Sequence, residues 1–184
     1  IVFPLLIVVS SAAFTTASHA QQPTRIRVLS YNIHHAQGTD GKLDLERIAR
    51  VISDAKADIV ALQEVDSRAT RSGSVDQAAE LARLTKMNFV FGANIPLQGG
   101  QYGNAVLSRF PITASTNHFL PCLEDGEQRG VIEVQLEIAA TKETVTLYAT
   151  HLDHRRADQE RIESAMFINK LSKKLGQKPA LLAG

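Results

Sequence analysis

Apolar and polar residues alternate along the chain with two different periods, which predict short strands separated by helices. Runs typical of strands occupy residues 25–31, 59–62, 87–92, 103–108, 112–119, 130–138, 144–150 and 179–183. Apolar residues recur every three or four positions, as in helices, over residues 44–55, 74–86 and 156–175. Because helices lie between strands along most of the chain, the pattern predicts an α/β fold in which helices cover sheets.

Two of the predicted helices carry more specific signals. Ser74 and Gln77 have the Ser-x-x-Gln spacing of a capping box, which predicts the start of the second helix. The third helix carries one apolar stripe, expected to face a sheet, made of Ile162, Ala165, Ile168, Leu171 and Leu175. These signals predict where the second helix starts and which face of the third helix is buried.

Residues 1–20 differ from the rest of the chain because they contain no Lys, Arg, Asp or Glu. An apolar run is followed by small residues up to Ala20, which is typical of a secretory signal peptide and its cleavage site. The apolar run is short and interrupted by serine and threonine, which disfavours an uncleaved membrane anchor. We therefore predict a signal peptide over residues 1–20, a single domain over residues 25–184, and a secreted or periplasmic protein.

The composition is that of a packed globular domain. The chain has 184 residues, 44% of them hydrophobic, and a formal net charge of +1. A nearly neutral protein has no broad cationic field of the kind that sequence-independent nucleic-acid binders use. The charge therefore disfavours a dedicated DNA-binding module.

Three polar residues, Asn32, Glu64 and His151, each end or interrupt an apolar run. Taken singly, each has an ordinary explanation: a turn-forming asparagine, a surface carboxylate and a structural histidine. Taken together they predict a site, because ligands of α/β sheets bind beyond the carboxyl ends of strands. Glu64 and Asn32 offer the oxygen ligands that Mg²⁺ prefers, and His151 is a candidate proton donor near neutral pH. This set indicates a metal site that cleaves phosphoesters.

Other site chemistries have less support. Five of the six histidines, at positions 34, 35, 118, 151 and 154, offer nitrogen ligands, but no His-x3-His helix or cysteine pair defines a zinc geometry. A Ser-His-Asp esterase would need a Gly-x-Ser-x-Gly elbow, and the sequence contains none. His154 lies three residues after His151, so it is a further candidate for phosphate contact or an ordinary exposed loop histidine.

Several strings together resemble the endonuclease/exonuclease/phosphatase superfamily, which includes type I deoxyribonucleases. They are Tyr31-Asn32-Ile33, Leu62-Gln63-Glu64-Val65, Gly103-Asn104-Ala105-Val106-Leu107-Ser108, Arg129-Gly130 and Thr150-His151-Leu152. The resemblance implies a four-layer α/β sandwich of two mixed sheets flanked by helices. It also implies that Glu64 and Asn32 bind Mg²⁺ or Mn²⁺, that His151 is catalytic, and that Asn104 and Arg129 lie near the phosphate.

The resemblance also leads to an expectation about the end of the chain. The superfamily's next motif is Gly-Asp-x-Asn, a later Asp-His pair completes its site, and the present chain ends at Gly184. We therefore expect the sandwich to be incomplete at its C-terminus and the 184 residues alone to be inactive.

The function implied for the whole protein is Mg²⁺-dependent hydrolysis of a phosphodiester or phosphomonoester. The candidate substrates are a lipid headgroup, a sugar phosphate and nucleic acid, and the protein is expected to be a monomer without an obligate protein partner. The alternative is a binding module that keeps the sandwich but has lost the chemistry.

Overall fold

Two four-stranded sheets pack face to face in the computed structural model, which describes residues 25–123, 126–138 and 142–184. The predicted signal peptide lies outside the described residues. No helix in the described ranges has the length and apolar character needed to cross a membrane.

The first sheet has the strand order β1-β2-β4-β3, with β1 parallel to β2 and the other pairs antiparallel. Its elements are β1 (Val28–Asn32), α1 (Leu45–Asp54), β2 (Ile59–Ser67), α2 (Gln77–Thr85), β3 (Asn88–Leu97) and β4 (Gly100–Ser108). Strands β3 and β4 extend further than the apolar pattern indicates, because they continue as a long hairpin beyond the sheet's buried part. Its turn contains Gln98 and Gly99, both with positive φ.

The second sheet has the order β5-β6-β7-β8, in which only β7 and β8 are parallel. Its elements are β5 (Ile112–Phe119), β6 (Gly130–Ile138), β7 (Glu143–Thr150), α3 (Gln159–Lys173) and β8 (Ala180–Ala183). Both sheets are therefore mixed, as predicted.

The core consists of three apolar layers that hold the sheets and helices together. Strand β2 is buried on both faces, which explains its continuous apolar sequence. Ile59 and Ala61 face the second sheet, whereas Val60 and Leu62 pack under α1 and α2. Ile168 packs α3 against the outer face of the second sheet. The order helix, sheet, sheet, helix confirms the predicted four-layer α/β sandwich.

Two predictions about the helices were wrong. The cap of α2 is Asp76, whose carboxylate accepts a hydrogen bond from Ala79 N at 3.1 Å, so no capping box forms at Ser74. Gln77 is instead buried. In α3, Ile162 and Ala165 of the predicted stripe are exposed, Ile162 to 47%, because the buried face of the helix passes through Ser164 and Ile168.

Candidate active site

Glu64 lies on a β-bulge inside β2. The pairing of β2 with β4 shifts register between Leu62 and Val65, and Glu64 has φ of 58°. The expectation that Glu64 follows the end of a strand was therefore wrong, because pairing resumes after the bulge and continues to Ser67. A non-glycine residue in this conformation is strained, and such strain is concentrated at functional sites.

Asn32 holds the Glu64 carboxylate in place. It is the last residue of β1, and the parallel register sets it opposite Gln63, the residue before Glu64. Its amide Nδ2 donates to Glu64 Oε1 at 2.7 Å, and its Oδ1 accepts from the backbone N of His34 at 3.0 Å. Asn32 thus orients the carboxylate, while its carbonyl oxygen keeps a second lone pair.

The segment after β1 brings two more histidines to Glu64. His34, His35 and Ala36 form one short turn in which all three residues have positive φ. Each of His34, His35 and Glu64 offers one candidate ligand atom, and these three atoms lie within 4.8 Å of one another. Burial is the main cause that lowers the pKa of His35, and the positive charge of Arg71 lowers it further.

His151 comes from the second sheet, directly after β7, as predicted. Its Nε2 lies 3.6 Å from Glu64 Oε1, so the two sheets meet at this pair of side chains. Burial lowers the pKa of His151, as does the charge of Arg129, and the nearby Glu64 carboxylate opposes both. The imidazole is therefore mostly neutral at neutral pH, with one nitrogen able to donate and the other to accept.

Arg129 lies beside His151 because it immediately precedes β6, whose Val131 pairs with Thr150. It is only 4% exposed. Its Nη1 forms an ion pair with Glu127 at 3.0 Å, and its Nη2 donates to Nδ1 of His154 at 3.3 Å. Its buried Nε has no hydrogen-bond partner among the described residues. A buried guanidinium with an unused donor suits the binding of an anion.

Asn104 is buried and supports Arg129. Its Nδ2 donates to the carbonyl of Gly130 at 3.0 Å, and the Thr150 hydroxyl donates to the same oxygen at 3.0 Å. These bonds fix the start of β6, and with it the residue before it. The structure thus gives Asn104 a positioning role, and its contact with phosphate stays a prediction.

Three residues near the site were missed in the sequence. Tyr102 is half-buried, and burial followed by the Glu64 charge raises its pKa to about 12. The guanidinium carbon of Arg71 lies 5.3 Å from the centre of the Tyr102 ring, and the buried Asp66 holds Arg71 through two hydrogen bonds of 2.9 and 2.8 Å. Tyr102 could have been found, because residues two apart in a strand share a face and it precedes Asn104 by two. No local signal marks Arg71.

The geometry therefore brings Asn32, Glu64, His151, Arg129 and His154 to one place, with Asn104 behind them. Within the described residues, Glu64 has no ion pair with a lysine or arginine; its partners are Asn32 and His151. One side of the site is an unneutralised carboxylate, and the other carries the guanidinium of Arg129.

Comparison with known proteins identifies similar sequences and similar structures. The chain is 28% identical over 171 residues to the uncharacterized protein YbhP of Escherichia coli K12. The aligned region covers 89% of this chain and 67% of YbhP. An endonuclease/exonuclease/phosphatase structure from Beutenbergia cavernae matches with a TM-score of 0.67 and 28% identity, over 79% of this chain and 43% of that one.

A more distant structure shows the fold alone. The mannosyl-6-phosphatase Bt3783 of Bacteroides thetaiotaomicron has a TM-score of 0.69 and 18% identity, over 86% of this chain and 64% of its own. The present chain thus spans less than two thirds of the length of these two solved proteins. The model of the Endonuclease/Exonuclease/phosphatase family matches residues 29–184, which include every candidate site residue and both sheets except Val28. The chain therefore belongs to the endonuclease/exonuclease/phosphatase family.

Proposed function

We propose that the protein carrying this chain is an exported hydrolase of phosphoesters that depends on a divalent metal ion. The observation that carries the proposal is the meeting of the Glu64 carboxylate with His151, at 3.6 Å, beside the buried Arg129. A carboxylate for the cation and a guanidinium for the anion are what phosphoester hydrolysis needs from a protein. Family membership supports the same class of reaction.

The donor set around Glu64 fits Mg²⁺ or Mn²⁺. The side chain is 23% exposed, carries no lysine or arginine partner in the described residues, and has one oxygen fixed by Asn32. Hard oxygen donors of this kind suit Mg²⁺, which is usually held by one or two carboxylates and several waters. We assign Glu64 as the metal ligand and Asn32 as the residue that orients it or adds a carbonyl oxygen. A bound cation would supply Lewis-acid stabilisation of phosphoryl charge.

The residues of the second sheet act on the phosphoryl group. We assign His151 to a hydrogen bond or proton transfer at a phosphoryl or leaving-group oxygen, since its neutral imidazole has both a donor and an acceptor nitrogen. Arg129 neutralises phosphoryl charge, His154 extends the same anion-binding edge, and Asn104 keeps Arg129 in place.

The substrate class within phosphoesters is a narrower proposal. Lipid headgroups, sugar phosphates and nucleic acid remain the candidates, and the name of Bt3783 gives sugar 6-phosphates a place in the first screen. We also propose that the protein is a monomer without an obligate partner, which light scattering of the purified protein tests.

Export is proposed from residues 1–20 alone. Expression of the full-length protein in a bacterial host should yield a periplasmic or secreted form whose N-terminal sequence begins after Ala20. A cytoplasmic protein that retains residues 1–20 would overturn this part of the proposal.

The central experiment is a hydrolysis screen of the full-length protein with excess Mg²⁺, with Mn²⁺ and with chelator. We expect turnover of at least one ester class, lost in chelator and restored by metal. Binding of a phosphoester without turnover under any metal would favour the alternative of a non-catalytic binding module.

A further inference from the structure

The two histidines of the turn after β1 lie beside the site but have no part in the reaction proposed above. The ligand atoms of His34, His35 and Glu64 lie within 4.8 Å of one another, and His34 is exposed. The group therefore opens to solvent. Two imidazoles and one carboxylate are a donor set that suits zinc and other transition metals, whereas Mg²⁺ prefers oxygen.

The backbone explains how two neighbours in sequence reach the same point. Adjacent side chains of an extended strand point to opposite faces. His34 and His35 instead have φ of 45° and 43°, and their ring centres lie 4.5 Å apart. A left-handed backbone is unfavourable for a non-glycine residue, so the chain keeps both histidines here against a local preference. The strain has an evident consequence, which is the joint approach of the two rings to Glu64.

Hydrogen bonds hold the backbone of this turn from three sides. Asn32 Oδ1 accepts from His34 N at 3.0 Å, Gln77 Nε2 donates to the His35 carbonyl at 2.7 Å, and Asp44 N donates to the Ala36 carbonyl at 3.0 Å. The turn is thus fixed by its neighbours rather than by its own imidazoles.

The imidazoles themselves keep nitrogens free. His34 Nδ1 lies 3.4 Å from the carbonyl of Gln37, and neither ring nitrogen of His35 pairs with a described residue. A ring nitrogen on a backbone carbonyl is a common way of orienting a metal-binding histidine, because it leaves Nε2 free for the metal.

We propose that His34, His35 and Glu64 form a binding site for a transition-metal ion of the zinc class. The proposal rests on the proposed function only in that both use Glu64. Tetrahedral zinc with Zn–N bonds of 2.0–2.1 Å requires donor atoms about 3.4 Å apart. The candidate donor atoms lie within 4.8 Å of one another, so the side chains must turn inward for one ion to bind all three. Zinc is expected to prefer this position because two of its ligands are nitrogens, whereas Mg²⁺ prefers oxygen ligands.

Zinc titration of the metal-free, full-length protein by calorimetry tests this site. The variant His34→Asn with His35→Asn removes both imidazoles, and asparagine tolerates the left-handed backbone. We expect its Zn²⁺ affinity to fall by at least about tenfold, with little change in Mg²⁺ affinity. The matched control is His118→Asn, since His118 also lies close to a carboxylate, Glu133, at 2.9 Å but belongs to another strand pair. It should bind Zn²⁺ like the wild type.

Three outcomes would overturn the site: equal Zn²⁺ affinity in the wild type and the double variant, an equal loss in the control, or an equal loss of Mg²⁺ binding. A double variant that fails to fold is replaced by wild-type crystals soaked in Zn²⁺. Anomalous density bonded to both rings at about 2.0–2.1 Å supports the proposal, and density elsewhere or none refutes it. Metal-independent hydrolysis would refute the proposed function without touching any of these results.

Discussion

The two halves of the candidate site differ in charge and in backbone. The first sheet contributes Glu64 and the turn of His34 and His35, all with positive φ. The second sheet contributes Arg129 and His151, which flank regular antiparallel strands and have no positive φ. The carboxylate thus comes from irregular backbone, and the anion-binding groups come from regular strand ends.

This difference separates the two binding tasks of the proposed reaction: the first sheet provides the cation position, and the second sheet provides the anion position. The cation position needs an unneutralised carboxylate held in a fixed direction, which the bulge at Glu64 provides at a cost in strain. An anion position needs a buried, pre-oriented donor, which strand register alone provides for Arg129 and His151. Mutations in the two halves should therefore have different effects.

The largest effect outside Glu64 is expected at His151. In the full-length protein, His151→Ala should lower kcat by about a hundredfold to ten-thousandfold, because it removes the group that moves a proton or donates to the phosphoryl oxygen. Metal affinity should stay within a few fold of the wild type, since His151 belongs to the anion half. A variant that melts far lower yet keeps its specific activity when folded would make His151 structural.

Arg129 should show a smaller effect that falls on binding. Arg129→Gln should weaken inhibition by inorganic phosphate by about tenfold to a hundredfold, the range of a lost charge-assisted hydrogen bond. Arg129→Lys keeps the charge but loses the planar set of guanidinium donors, so we expect an intermediate weakening of phosphate inhibition. Phosphate inhibition that is unchanged in both variants would remove Arg129 from the anion half.

Gln77 tests the support of the irregular half. It is buried, donates to the His35 carbonyl at 2.7 Å and accepts from Asp66 N at 3.0 Å. Gln77→Leu leaves two buried groups unpaired and should lower the free energy of unfolding by about 1–3 kcal/mol, measured by denaturant titration. Gln101→Leu, at an exposed position of β4, is the control and should change stability by less than about 0.5 kcal/mol. Equal effects would mean that the turn does not depend on Gln77.

The smallest effect concerns pH. Burial lowers the folded-state pKa of His151, so below the unfolded value of about 6.5 the unfolded chain binds more protons. Stability of the metal-free protein should therefore be fully present above pH 6.5 and fall as the pH drops below it. His151→Gln should make this fall in stability shallower. Part of the fall should remain, because the pKa of His35 is lowered as well. A fall of equal slope in both proteins would contradict the assignment.

The sequence was sufficient for the regular half and insufficient for the irregular one. The apolar run ended by His151 marks a real strand end, so periodicity located this residue, whereas Arg129, which precedes β6, was identified through the family resemblance. Glu64 was identified although its predicted position at a strand end was wrong, because a bulge interrupts the apolar pattern just as a strand end does. The approach of His34 and His35 to Glu64 depends on left-handed backbone, which the periods of helix and strand do not encode. Arg71 reaches the site only through its pairing with the buried Asp66.

The most direct test of the central claim is Mg²⁺ binding and hydrolysis by the full-length protein and its Glu64→Gln variant. Glutamine keeps the shape of the side chain and one carbonyl oxygen that can accept from Asn32, but it removes the charge that holds the cation. We predict loss of measurable Mg²⁺ binding by calorimetry and a fall in turnover of more than about a hundredfold, with an unchanged melting transition. Wild-type Mg²⁺ affinity and full turnover in Glu64→Gln, or full wild-type turnover in excess chelator, would contradict the account.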